Sequence, residues 1–306
     1  GKLESFSMTD FGVVKVDDKV EGSKKALEAV AKRLLTKDVN ISVSGPNAIV
    51  RYIELPNMTD EELKSSMKFE AEKYIPFRSK DVIVDCQVLE KLARGKMRVL
   101  LAAAKKEAIT EKINLVEGVG LSVNLIDCDS FALINTFLLN FPDLPEDGCI
   151  ALVNMGERLT TIDILKGKSA TFTRELQIGG WDFSKAISQK LNLDMAAAVQ
   201  VMENPQARLE ELMGAVRPTI VHIVEEVKLS LSYYENQMGA VVDKIYLSGG
   251  LSFFHGLVDI LKEGIGMECF LWDPVKRITI DKGVDQEKLS KIKHQLPVAL
   301  GLAIRG

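Results

Sequence analysis

The chain has 306 residues, 46% of them hydrophobic and 27% charged, enough for about two globular domains with sizeable cores. Its net charge of −4 excludes the basic excess of a general nucleic-acid binder. Apolar runs such as 296–304 fall well short of the roughly 18 residues that span a membrane, so no direct membrane insertion is expected.

In chain order, Leu3–Val16 alternates like a strand, and Gly22–Thr36 carries the helical stripe Ala26, Leu27, Val30 and Leu34. Strands follow at Asn40–Val43 and Ala48–Leu55. A helix then begins at Thr59, where Glu62 completes a capping box and Met58 can staple Leu63. Leu63, Met67, Ala71 and Tyr74 share one face of that helix, and Pro76 ends it. That stripe reads as a local core, with Tyr52, Leu55 and Phe77 as a weaker partner-groove candidate. Strands at Asp81–Leu89 and Lys96–Ala103, a helix at Lys106–Val119 and a strand at Leu121–Ile126 complete a compact module over 48–126. Asp129 caps a helix through Phe141, and Pro142–Gly148 is a linker.

The second half opens with a β-hairpin turning at Asn154-Met155-Gly156-Glu157-Arg158. Such a turn exposes backbone N–H groups, and Gly156 lets an anion approach without meeting a Cβ. A third strand, Ser169–Gln177, leads through Gly179-Gly180 to a helix at Asp182–Leu191. Short helices are expected at Met195–Met202 and Ala207–Leu212. A long helix follows Pro218, with Ile220, Ile223, Val227, Leu231, Tyr234 and Met238 on one face. The strand Lys244–Ser248 ends in a second glycine turn before a helix at Phe254–Lys262, and a terminal helix starts at Gln286. The alternation of strands and helices predicts an α/β protein. Trp181 and Phe183 read as core anchors.

Standard catalytic and metal signatures are missing. Cys86, Cys128, Cys149 and Cys269 share no CxxC spacing and read as free, buried thiols. His222, His255 and His294 are isolated, and the sequence has no HExxH, GxSxG, P-loop or GxGxxG.

The hairpin, third strand, Gly179-Gly180-Trp181-Asp182, long helix, Leu247-Ser248-Gly249-Gly250 and Leu296-Pro297-Val298-Ala299-Leu300-Gly301-Leu302-Ala303 together resemble the actin-like ATPase superfamily. Within it, Glu54-Leu55-Pro56, Thr59-Asp60-Glu61-Glu62-Leu63 and Glu70-Ala71-Glu72-Lys73-Tyr74-Ile75-Pro76-Phe77 resemble the PilM family of cytoplasmic type IV pilus assembly proteins, relatives of FtsA. The likeness covers essentially the whole chain.

The resemblance implies an actin-like α/β fold of two RNase H-like lobes with a small inserted α+β subdomain. It places the first lobe at 1–47, the insert at 48–126, and the first lobe's return helix and linker at 127–147. The second lobe's sheet falls at 148–183, its helical subdomain at 184–243, and the rest of that lobe with the terminal helix at 244–306.

For nucleotide, the resemblance implies ATP or ADP with Mg. Asn154, Gly156, Glu157 and Thr160 would belong to the second phosphate loop. Leu247–Gly250 would form the adenosine motif, with Gly249, Gly250 and Leu251 as nucleotide-binding residues there and Glu225 and Lys228 contacting ribose and base. Read without the family, Glu225 and Lys228 are a solvated pair contributing only about 0.3 kcal/mol.

The first phosphate loop, an Asp-x-Gly hairpin, would precede Leu3. Asn154 stands where the motif usually has Asp, which weakens any expectation of hydrolysis. The implied function is a scaffold of the pilus inner-membrane platform, cytoplasmic and peripheral to that membrane. It would bind the cytoplasmic tail of a PilN-like membrane protein, with other platform proteins or pilus motor ATPases as further partners and no nucleic acid. Its nucleotide cleft would be regulatory or vestigial. The alternatives are an active Mg-dependent ATPase or small-molecule kinase, and an FtsA-like filament-forming protein.

Overall fold

The computed structural model describes residues 6–16, 20–205 and 208–305. The chain divides into two compact units. One runs through Asn140 and includes Val275–Ile292 and the stretch from Val298; the other comprises Phe141–Pro274 and Lys293–Pro297.

In the first unit, β1 is only Ser7–Met8; residues 9–16 are irregular, and the start of the expected strand, Leu3–Ser5, lies outside the described residues. Helix α1 (Val20–Ala31) precedes β2 (Asp38–Val43). The insert follows as β3 (Ala48–Pro56), α2 (Asp60–Glu70), β4 (Val82–Leu92) and β5 (Lys96–Lys105). Its strands form an antiparallel sheet ordered β3-β5-β4, with Leu55, Val82, Met97, Val99, Leu101 and Ala103 buried alongside Leu63 and Met67 of α2. The capping box forms as expected: Thr59 Oγ1 accepts from the Glu62 N–H at 3.2 Å, and Glu62 accepts from the Thr59 N–H at 2.8 Å. Helix α2 stops at Glu70, before Pro76, and passes into a tight turn at Ala71–Lys73.

Helix α3 (Lys106–Glu117) leads to β6 (Ser122–Cys128), which pairs in parallel with β2 rather than with the inserted sheet. A parallel pair needs a long crossover, and the insert with α3 supplies it. The closed sheet therefore spans 48–105, and the last helix and strand of the 48–126 module belong to the lobe around it. Helix α4 (Asp129–Asn140) ends this part.

The second unit holds a five-stranded sheet ordered β11-β10-β7-β8-β9. Strands β7 (Cys149–Met155), β8 (Thr160–Lys166) and β9 (Ser169–Leu176) are antiparallel neighbours. Helices α5 (Gly180–Leu191), α6 (Met195–Glu203) and α7 (Leu209–Met238) follow. Strand β10 (Lys244–Ser248) then joins β7 in parallel, α8 (Leu257–Ile265) follows, and β11 (Cys269–Leu271) joins β10 in parallel.

The expected break at Pro218 does not occur. Helix α7 runs unbroken for 30 residues with Pro218 inside it. Leu212, Ala215 and Val216 before the proline, and Ile220, Ile223 and Val227 after it, are buried in the same core. That continuous apolar stripe outweighs the proline's cost of about 3 kcal/mol. Of the expected short helix at Ala207–Leu212, Leu209–Leu212 is the first turn of α7, and Ala207 lies outside the described residues.

The chain ends with β12 (Thr279–Ile280), α9 (Gln286–Ile292) and α10 (Pro297–Ala303). Strand β12 pairs with β1, so 275–292 and 298 onward belong to the first unit, a different division from a second lobe running over 244–306. Gly301 explains the packing of the last helix: a Cβ there would lie 1.7 Å from the Ala132 carbonyl oxygen on α4. Asn40 Nδ2 donates to the carbonyls of Leu302 and Arg305 at 2.7 Å each, and Arg305 pairs with the buried Asp127.

Candidate functional site

The parallel pairing of β7 with β10 sets the geometry. Asn154 lies opposite Ser248, so both glycine turns leave the sheet side by side at the carboxyl ends of these strands. In α/β sheets this is the edge where ligands bind.

The hairpin turn is closed by the Gly156 N–H donating to the Leu159 carbonyl at 2.8 Å. It is then fastened to α5. The Gly180 N–H donates to the Gly156 carbonyl at 3.0 Å, and the Trp181 N–H donates to the Glu157 carbonyl at 2.8 Å. The first donors of α5 are thus satisfied by the hairpin itself. At Gly179 this approach requires glycine: a Cβ there would lie 2.5 Å from the Glu157 carbonyl oxygen. A Cβ on Gly180 would lie 2.8 Å from Glu157 Oε2, the end of a side chain that can swing aside.

The second turn is tighter. Gly249 has φ +91, and a Cβ on it would lie 2.2 Å from the Met155 carbonyl oxygen. Its N–H donates to the His294 carbonyl at 2.7 Å, so the 293–297 segment backs the turn. Lys293 Nζ reaches Asp273 at 2.5 Å, and the His294 ring stands 5.1 Å from the Phe253 ring. Burial, then the neighbouring Lys293 charge, hold the His294 pKa below its ordinary value.

Asn154, Gly156 and Gly249 are brought together, and Ser248 Oγ donates to Asn154 Oδ1 at 3.0 Å. Glu157 is exposed on the turn, and Gly250 is exposed beside Gln295. Thr160 is buried, and its hydroxyl donates to the Ile178 carbonyl at 2.8 Å, fastening the hairpin to the end of β9. Leu251 is buried in the core of the unit. Glu225 and Lys228 stand exposed on α7, and Lys228 Nζ donates to the Gly264 carbonyl near the end of α8 at 3.3 Å.

Sequence reasoning missed His294 as part of this edge, and the contact of Ser248, within the Leu247–Gly250 motif, with Asn154. The β7–β10 register, a long-range property, is what brings Ser248 to Asn154. Phe183 is a core anchor as expected, fully buried and edge-on to Phe254 at 5.3 Å. Trp181 is instead half-exposed, with Arg158 at 4.7 Å and Lys185 at 5.1 Å over its ring. No disulfide joins the four cysteines; Cys149 and Cys269 are buried as expected, whereas Cys86 and Cys128 are only half-buried. Burial raises the pKa of Cys149 and pushes Cys269 up to about 11, so neither is a ready nucleophile.

Three antiparallel strands continued by two parallel ones, with paired glycine turns at the carboxyl edge, define a lobe of the actin-like ATPase fold. A similar solved structure is a chain of a PilM-PilN type IV pilus biogenesis complex. It is 27% identical, with a TM-score of 0.85 over 97% of this chain and 89% of that one. Cell division protein FtsA of Streptococcus pneumoniae serotype 2 (strain D39 / NCTC 7466) is 22% identical over 321 residues, covering 89% of this chain and 68% of FtsA. Residues 3–306 match the family described as type IV pilus assembly protein PilM, and the chain belongs to that family.

Proposed function

We propose that this chain is a scaffold of the type IV pilus inner-membrane platform that docks the cytoplasmic tail of a PilN-like membrane protein. The observation that carries this reading is the likeness, over nearly the whole chain, to a protein solved in a PilM-PilN complex. Among the described residues no helix is long and apolar enough to cross a membrane, which fits attachment through a partner.

The first unit offers a seat for such a tail. A groove of about 530 Å³ is lined by Leu34, Leu35 and Lys37 beyond α1 and by Val119, Gly120 and Leu121 before β6. Leu34 is 40% and Leu35 89% exposed, so a tail that covers them removes apolar surface from water. Full-length protein is expected to retain a PilN-tail peptide in a pull-down. Leu35→Asp is expected to weaken that binding about tenfold, or about 1.4 kcal/mol. Failure of the wild-type protein to retain the tail would overturn the scaffold reading.

ATP or ADP is the proposed ligand of the paired glycine turns, acting as a conformational ligand through its differential affinity for one state. The convergence of Asn154, Gly156 and Gly249 supports this reading. A phosphate-release assay on full-length protein separates it from an active ATPase, and no release above background is expected.

A further inference from the structure

We infer that the Asn154–Arg158 hairpin is a metal-free phosphate jaw: it takes an anionic phosphate group through the Asn154 amide and the flanking cations Arg158 and Lys185, and holds no magnesium. This rests on the nucleotide reading proposed above.

Nucleotide in an actin-like ATPase fold implies Mg²⁺ beside the phosphates, and the residues of this edge do not fit that ion. Magnesium requires oxygen ligands, usually one or two carboxylates and several waters. At the turn end of β7 stands the amide of Asn154, whose Oδ1 accepts from Ser248 Oγ at 3.0 Å. Ser248 is 1% exposed and fixed opposite Asn154 by the β7–β10 register, so this bond is built into the sheet. Ser248 takes one lone pair of Oδ1, and the neutral amide has no negative charge to offer a cation, whereas its Nδ2 is a donor. A phosphate oxygen, which only accepts, is its natural complement.

The surrounding charges agree. Asp182 Oδ2 accepts from the Gly179 N–H at 2.9 Å, and Asp163 is fully buried with Thr173 Oγ1 donating to its Oδ1 at 2.7 Å. The Glu157 carboxylate folds onto Gly180. Among the described residues no three His, Cys, Asp or Glu side chains gather where they could hold an ion. Two cations flank the turn instead: Arg158 on the hairpin and Lys185 on α5, both over the Trp181 ring. That pair offers a phosphate two positive charges, while the Asp182 and Glu157 carboxylates are turned to the backbone of the Gly179-Gly180 turn.

The test is calorimetric titration of full-length protein with ATP, ADP and inorganic phosphate, each in magnesium and in EDTA. For wild type, the Kd of ATP is expected to change by less than about threefold between the two buffers. Asn154→Asp places a carboxylate against the phosphate. Its Kd is expected to rise about tenfold in EDTA and to recover in magnesium. Arg158→Gln is expected to weaken ATP several-fold equally in both buffers, so the inference stays testable if the Asn154 variant misfolds. Wild-type binding that needs magnesium overturns this inference and leaves the nucleotide reading standing. A wild-type protein that binds neither ATP nor ADP in either buffer overturns the nucleotide reading itself. Phosphate binding equal to that of ATP assigns the jaw to free phosphate rather than to nucleotide.

Discussion

The inserted sheet and the glycine-turn edge achieve order in opposite ways. In the insert, side chains do the packing: along β5, Met97, Val99, Leu101 and Ala103 are buried while Lys96 and Arg98 face outward. Rotamers adapt, so such a core tolerates substitutions of similar volume. At the glycine turns, backbone packs on backbone, with Gly249 against Met155 and Gly179 against Glu157. There the absence of side chains is the structural element, and no rotamer can absorb a new atom. The edge that carries the candidate site is therefore the less forgiving of the two regions.

The sharpest way to break this comparison is a pair of adjacent alanines. Gly249→Ala forces a left-handed backbone onto an L-residue and drives its Cβ to 2.2 Å from Met155 O. Thermal or urea unfolding is expected to show a loss of about 3 kcal/mol or more. At Gly250 the added Cβ meets only Gln295 side-chain atoms at 3.7 Å, an ordinary contact. Gly250→Ala is expected to stay within about 0.5 kcal/mol of wild type. Equal losses at the two positions would refute the view that backbone approach, rather than turn composition, governs this edge.

Three substitutions at two positions probe the insert. Met97→Ala removes a fully buried side chain and is expected to cost about 2–5 kcal/mol in urea unfolding, with Met97→Leu under about 1.5. Thr59→Ala removes the cap of α2 and is expected to cost about 1 kcal/mol. The Thr59 N–H, then its hydroxyl, hold the Glu62 carboxyl below its ordinary pKa. A depressed carboxylate stabilises the fold above its unfolded pKa, and that contribution fades as pH falls through the lowered folded value. Thr59→Ala keeps the backbone N–H and deletes the hydroxyl that also donates to Glu62 at 3.0 Å. The gap to wild type should therefore narrow slightly in acid, and a gap independent of pH would rule out a contribution from that hydroxyl–carboxylate bond.

The same contrast explains what was legible in the sequence. Thr59, Glu62 and the α2 stripe act over a few residues, and the capping box and inserted sheet could be read from them directly. The hairpin was legible too, because Gly156 and its flanking strands are local. What the sequence hid was long-range. Nothing near β6 announces that it pairs with β2, and nothing near Ser248 announces Asn154. Pro218 was misread because its local cost is visible, whereas the core on both sides of it is not. Thr160 and Leu251 stand beside the phosphate-loop and adenosine motifs, and one fastens a hairpin while the other fills a core. Motif order identifies lineage; atom-level roles depend on contacts between segments far apart in the chain.

The smallest expected effect joins the glycine edge to pH. Burial and the Lys293 charge depress the His294 pKa, partly opposed by Asp273 and by a hydrogen bond to the Trp272 backbone. A base whose folded pKa lies below its unfolded value of about 6.5 stabilises the fold above that value and loses the contribution as pH falls. Because the His294 carbonyl accepts the Gly249 N–H, charging the ring strains the segment that backs the second turn. Melting temperature should therefore decline from about pH 7.5 to about pH 5.5, and His294→Gln should flatten that part of the profile. His222 and His255 are exposed, so His222→Gln should leave the slope as it is. If His294→Gln and His222→Gln change the slope equally, the acid response belongs to surface charge. In that case the 293–297 backing does not control the glycine edge.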